Sequence, residues 1–126
     1  MDKTFQKILK EFVDLGHTCL SYASEPKARF HRLGKLVAAR VAVELGLPEG
    51  SYDIRSNKGG IAVCGEVTLH AENLYIQFSQ SACGSGMDIL YRFCKDRKDY
   101  TGGRNNYLTY ETLAEFDKAV QSFKAV

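Results

Sequence analysis

The residues best equipped for chemistry lie together in Arg92-Phe93-Cys94-Lys95-Asp96-Arg97-Lys98-Asp99-Tyr100-Thr101-Gly102-Gly103-Arg104-Asn105-Asn106, where five cations face two acids. Arginine presents a planar fork that matches phosphate oxygens, and Arg92 and Arg104 stand at either end of the segment. The Gly102-Gly103 pair lets backbone N–H groups approach an anion closely. Tyr100 could stack on a base, and the Asn105 amide could read a base edge. Together this is equipment for a nucleotide-like anion. The competing reading is a solvated hairpin loop with incidental charge. A loop of about a dozen residues inside a small domain is more often functional or disordered.

A second cluster is Tyr52-Asp53-Ile54-Arg55-Ser56-Asn57-Lys58-Gly59-Gly60. Arg55 projects opposite Ile54. It could pair with Asp53 or Glu66, or join Arg92 and Arg104 around a ligand. Ala82-Cys83-Gly84-Ser85-Gly86 could form a backbone nest, but neither a phosphate-binding G-x-x-x-x-G-K-[ST] loop nor a dinucleotide fingerprint is present.

Catalytic constellations do not assemble. Cys19, Cys64, Cys83 and Cys94 include no closely spaced pair of the zinc-binding kind, so they read as reduced, structural thiols. Cys64 and His70 share a strand face but lie roughly 20 Å apart at ~3.3 Å per residue. Cys94 is flanked by Arg92 and Lys95, which could lower its pKa, yet no base is evident beside it. Glu66 and His70 are too far apart along one strand to form a ready pair. We therefore expect no catalytic residue, no bound metal and no cofactor.

These residues need elements to position them. Phe5, Ile8, Leu9, Phe12 and Val13 follow helical spacing, with Asp2 as N-cap and Gly16 as a stop. A polar connector, residues 17–25, leads to Pro26 at the start of a second helix ending near Leu45, whose buried stripe is Phe30, Leu33, Val37, Val41 and Leu45. Its other face carries Lys27, Arg29, Arg32, Lys35 and Arg40 against Glu44, which suits a solvated surface or an anion or partner surface.

From Tyr52 the period becomes two. Strands are expected over Tyr52–Ser56, Ile61–His70, Leu74–Phe78 and Met87–Cys94, with a short fifth at Tyr107–Thr109. Leu74, Ile76 and Phe78 bury one face of the third, and Gly65 marks a bulge or a close backbone approach. Thr112-x-x-Glu115 reads as a capping box for a C-terminal helix with Leu113, Phe116, Val120 and Phe123 inward. Short connections between strands imply antiparallel pairing. The expected fold is α+β: a helical hairpin over 1–46, an antiparallel sheet of four to five strands with ligand loops over 52–110, and a C-terminal helix over 111–126. All of it forms one domain.

The chain has 126 residues with a formal charge of +2. That balance argues against a coat for a nucleic-acid polymer, which would need a broad basic face. No apolar run approaches the ~20 residues of a membrane span. The polar start, Met1-Asp2-Lys3-Thr4, does not resemble a signal peptide, so a cytoplasmic protein is expected.

Tyr52–Gly60, Gly65-Glu66-Val67-Thr68-Leu69-His70 and Tyr91-Arg92 through Asn106 resemble the phage Thoeris anti-defence proteins of the first family. The likeness covers roughly residues 52–110, and Arg97-Lys98-Asp99-Tyr100-Thr101-Gly102-Gly103-Arg104-Asn105-Asn106 is its most specific piece. These are sponge proteins with helices on an antiparallel sheet. They bind cyclic ADP-ribose isomers made by bacterial TIR-domain enzymes, without hydrolysing them, and so starve a host defence effector. The resemblance implies a phage protein acting in the cytoplasm of the infected host, with ligand held at homodimer interfaces and some members built as hexameric trimers of dimers. Some members capture cyclic di- or trinucleotides at a separate interface. On this sequence it implies phosphate contacts from Arg55 and Arg104, stacking by Phe78, and base or ribose contacts near Met87 and Asp88. A second site would use the connector, with His17, Thr18 and Arg29. The alternatives are a small nucleotide-hydrolysing enzyme and a module for single-stranded nucleic acid or protein interaction.

Overall fold

The computed structural model describes residues 2–17, 24–58, 65–79, 88–99 and 102–124. Helix α1 spans Lys3–His17 and α2 spans Ser24–Glu44. Five strands follow: β1 Tyr52–Asn57, β2 Glu66–Ala71, β3 Tyr75–Ser79, β4 Ile89–Arg92 and β5 Asn106–Leu108. The described chain closes with α3 Tyr110–Ala114 and α4 Phe116–Lys124. The arrangement is α+β, as the periodicities require.

Asp2 caps α1: its Oδ1 accepts the Phe5 N–H at 2.8 Å. Its Oδ2 accepts from Arg40 of α2 at 3.1 Å, which ties the start of α1 to the C-terminal end of α2. The Phe5 N–H, with help from Arg40, holds the Asp2 carboxyl below the usual carboxylate range. Gly16 does not stop the helix. The helix runs on to His17, and Gly16 is where the Tyr110 ring lies against the backbone, so a side chain there would collide with the ring.

The sheet is antiparallel throughout, in the order β1-β2-β3-β4-β5, so each strand pairs with the next one in the sequence. Its inner face carries Val67, Leu69, Ile76, Phe78 and Ile89, all fully buried beneath the helices. Phe12 is the centre of this core. It stacks on Phe30 at 5.0 Å and meets Phe78 and Tyr110 edge-on, each at 5.7 Å. Gly34 lets α2 come close to β2, since a Cβ there would press on Val67 and Phe12. Gly65 fulfils its expectation. It has φ +75° and sits so near the Asn57 carbonyl that no side chain fits.

Three local expectations need correction. The C-terminal helix is broken at Glu115 into α3 and α4, so that Leu113 and then Phe116, Ala119, Val120 and Phe123 can all turn inward. Its N-cap is Thr109, whose Oγ1 accepts the Thr112 N–H at 3.2 Å, so Thr112 is not the capping residue. The fifth strand starts one residue earlier than expected, at Asn106.

Candidate functional site

The helices cover one side of the sheet, and the opposite side presents polar residues in register. The first row runs Asp53, His70, Tyr75 and Arg92 across β1 to β4. The second runs Arg55, Thr68, Gln77, Leu90 and Tyr107 across all five strands. The third holds Asn57, Glu66 and Ser79. Most of these side chains are half-buried, as expected for a polar floor within a concave surface.

The long loop after β4 arches over the first row. Cys94 donates its backbone N–H to the Asn73 carbonyl at 3.1 Å, which brings its Sγ to 3.7 Å from His70 Nε2. Further on, Arg97 reaches β1. Its Nη2 lies 2.9 Å from Asp53, its Nη1 donates to the Gly50 carbonyl at 2.7 Å, and Glu72 stands 3.9 Å away. Asp99 shapes the bend by accepting the Lys95 and Gly102 N–H groups. Gly103, at φ +89°, closes the base of the loop against the Phe93 carbonyl. An open cleft of about 510 Å³ remains between loop and sheet, lined by Asp53, Arg55, Glu72, Asp96, Arg97 and Lys98.

Arg92 is the distinctive cation of this face. Its guanidinium lies over the Tyr75 ring, 4.8 Å from the centroid, and its Nε is buried with no hydrogen-bond partner among the described residues. No carboxylate pairs with it among the described residues. His70 meets the same ring edge-on at 5.2 Å, and the Tyr75 hydroxyl donates to Gln77 at 2.9 Å. Burial pushes the Tyr75 phenol above its ordinary value, so it stays a hydrogen-bond donor at neutral pH.

The expected site residues that are described separate into five places. Arg92 ends β4, and Arg104 and Asn105 immediately precede β5, whose Asn106 pairs with Tyr91, so the three lie at the same end of the sheet. Arg55 is on edge strand β1, with only a 4.0 Å contact to Asp53, while Glu66 accepts from Asn57 instead. Phe78 is a core residue. It is fully buried and its ring is packed by Phe12, so it has no face to offer a base. Asp88 stands just before β4, about 13 Å along the strand from Arg92 at ~3.3 Å per residue. It is buried, and its Oδ1 has no hydrogen-bond partner among the described residues. Burial, with the charge of Asp88, pushes the Tyr110 phenol far up, and that phenol donates to the Ser79 carbonyl. Met87, Tyr100 and Thr18 lie outside the described residues, as does the side chain of His17. Arg29 is on α2, paired with Glu25 at 3.4 Å.

The neighbour that sequence reasoning missed is His70 beside Cys94. A base does approach this thiol, through pairing of residues far apart in sequence. It does not activate it. Burial raises the Cys94 pKa, outweighing the pull of Arg92, so the sulfur is held as a neutral thiol. Among the described residues no group of three or more His, Cys, Asp and Glu is placed to hold a metal ion. No described helix is long and apolar enough to cross a membrane.

The Arg97 clasp should respond to acid. The hydrogen bond from Arg97 lowers the Asp53 pKa below its ordinary 3.8. A carboxylate with a depressed folded pKa stabilises above its unfolded value and loses that contribution as pH falls through the folded one. Corrected for the intrinsic rate, which itself changes with pH, the exchange protection of the Lys95 to Asp99 amides should therefore be unchanged from pH 7 to about 4.5, since the unfolded carboxylate titrates near ~3.9. It should fall below that, with Arg97→Ala showing the lower protection at both ends.

Comparison with protein-family models, with curated proteins and with solved structures finds no match. The reading of the site therefore rests on its own geometry and on the resemblance noted in the sequence.

Proposed function

We propose that the chain is a non-catalytic binding protein that captures cyclic ADP-ribose-type signals and so blocks a host defence response. The observation that carries this reading is Arg92. It is a guanidinium stacked on Tyr75 with no carboxylate paired to it among the described residues, on a polar sheet face, with Arg104 and Asn105 at the same end of the sheet. A doubly charged diphosphate is the kind of group such cations take. The buried Asp88 Oδ1, which has no hydrogen-bond partner among the described residues, supplies an acceptor for a ribose hydroxyl or a base amine farther along β4. The neutral Cys94 thiol and the single histidine beside it suit retention of a ligand better than its cleavage.

The test is recovery. The protein is incubated with cyclic ADP-ribose isomers, washed, heat-denatured, and the supernatant analysed by mass. Intact ligand in stoichiometric amount is the expected result. A cleaved product points to the hydrolytic alternative, and no recovered nucleotide overturns the reading.

A further inference from the structure

The residues from Lys95 to Asp99 brace one another. The Asp99 carboxylate accepts the Lys95 N–H at 3.0 Å and the Gly102 N–H at 2.7 Å. The Asp96 carboxylate accepts the Lys98 N–H at 2.8 Å, and the Asp99 N–H bonds to the Asp96 carbonyl at 3.1 Å. A segment that satisfies its own backbone in this way keeps its shape when it moves.

Arg97 carries this unit to the far side of the sheet. Its fork spans two acceptors at once, Asp53 of β1 at 2.9 Å and the Gly50 carbonyl just before β1 at 2.7 Å. At the two ends the backbone is placed to pivot. Cys94 is pinned by its N–H to the Asn73 carbonyl at 3.1 Å, and Gly103 holds φ +89°, a conformation that favours glycine.

Beneath the unit lie two groups that the helices cannot cover. His70 stands on the sheet face opposite the helices, yet it is only 5% exposed. Cys94, 8% exposed, sets its Sγ 3.7 Å from His70 Nε2. A side chain on that face is buried only where something crosses over it, and the segment after β4 is what crosses there.

We propose that Lys95–Asp99 is a strap, a braced unit that lifts on Cys94 and Gly103 when Arg97 leaves Asp53 and so uncovers His70 and the Cys94 thiol, with Arg97 as the latch that sets how often it lifts. The strap gates the end of the polar row that its own contacts otherwise close. It belongs to the chain alone, so the fate of the proposed ligand does not decide it.

Cys94 is the reporter. The full chain is treated with an anionic aromatic disulfide, dithiobis-nitrobenzoate. The Cys94 sulfur attacks one sulfur of the reagent, the S–S bond breaks, and nitrothiobenzoate leaves as a thiolate. The Cys94 peptide is then quantified by mass, apart from Cys19, Cys64 and Cys83. When the strap opens and closes faster than labelling, the rate is the open fraction times that of a free thiol. Wild-type Cys94 should react far more slowly than in urea-unfolded chain. Arg97→Ala should speed it about tenfold, the low end for a charge-assisted bond because the ion pair is partly solvated. Arg97→Lys should lie between, since an ammonium cannot span both acceptors. Asp53→Asn should speed labelling as well. Electrostatics alone would slow an anionic reagent in Arg97→Ala and speed it in Asp53→Asn, so acceleration in both reads opening. Lys98→Ala, the neighbouring cation, should not accelerate it. Lifting a strap exposes little surface, so the rate should depend only weakly on urea below the unfolding transition. A wild-type rate in Arg97→Ala overturns the proposal. So does a urea dependence as steep as that of global unfolding.

Discussion

If the proposed function holds, Arg92→Ala should lower affinity for cyclic ADP-ribose by roughly ten- to a hundredfold, the range set by losing a charge-assisted hydrogen bond worth ~1.5–3 kcal/mol. The loss should fall on binding, because Arg92 has no carboxylate among the described residues that its removal would leave unpaired. Arg92→Lys should restore part of it only. A lysine keeps the charge but presents no planar fork to lie on Tyr75 while meeting two phosphate oxygens. Tyr75→Leu should weaken binding less than Arg92→Ala, since it removes the platform and leaves the charge. Titration calorimetry on the three variants, with melting curves beside each, separates the two contributions. Wild-type affinity in Arg92→Ala would remove this residue from the site and direct attention to Arg55 and the cleft beside Arg97.

The largest effect on stability should come from Phe12→Ala. Three rings lean on Phe12 from α2, β3 and α3, and it is fully buried. Truncation opens a cavity whose walls belong to three other elements, so no single element can collapse to fill it. Such phenylalanine truncations cost ~3–5 kcal/mol. Against a total of ~5–15 kcal/mol for a domain of this kind, that is a large share. For a chain of 126 residues the melting temperature should fall by roughly 10–20 °C. Lys7→Ala, on the exposed face of the same helix, should stay within ~0.5 kcal/mol of the wild type. If denaturant unfolding gave the two variants equal stability, the aromatic cluster would not be the keystone described here.

Alternation and helical spacing belong to single segments, so they are legible in the residues themselves. The apolar stripe of α1, the buried face of β3 and the tight glycine at 65 are all of this kind. Phe78 makes the point. Alternation with Ile76 sends it to the core, and the core is where it lies, although the resemblance implies a role in stacking. A hydrophobic side chain of that size has more to gain from complete burial than a short strand could supply by turning it outward.

What two segments do together is not contained in either. The pairing of β2, β3 and β4 decides that Asp53, His70, Tyr75 and Arg92 share a row, though they are spread over 40 positions. The crossing of the long loop decides that Arg97, not Arg104, reaches β1, and that Cys94 meets His70. Burial then reverses the expected direction of the Cys94 pKa, because desolvation of a thiolate outweighs a partly solvated arginine nearby. Periodicity thus determined the elements and their inward faces. Only the register of the sheet and the path of the loop determined which charged groups meet, since strand pairing and desolvation depend on neighbours brought from elsewhere in the chain.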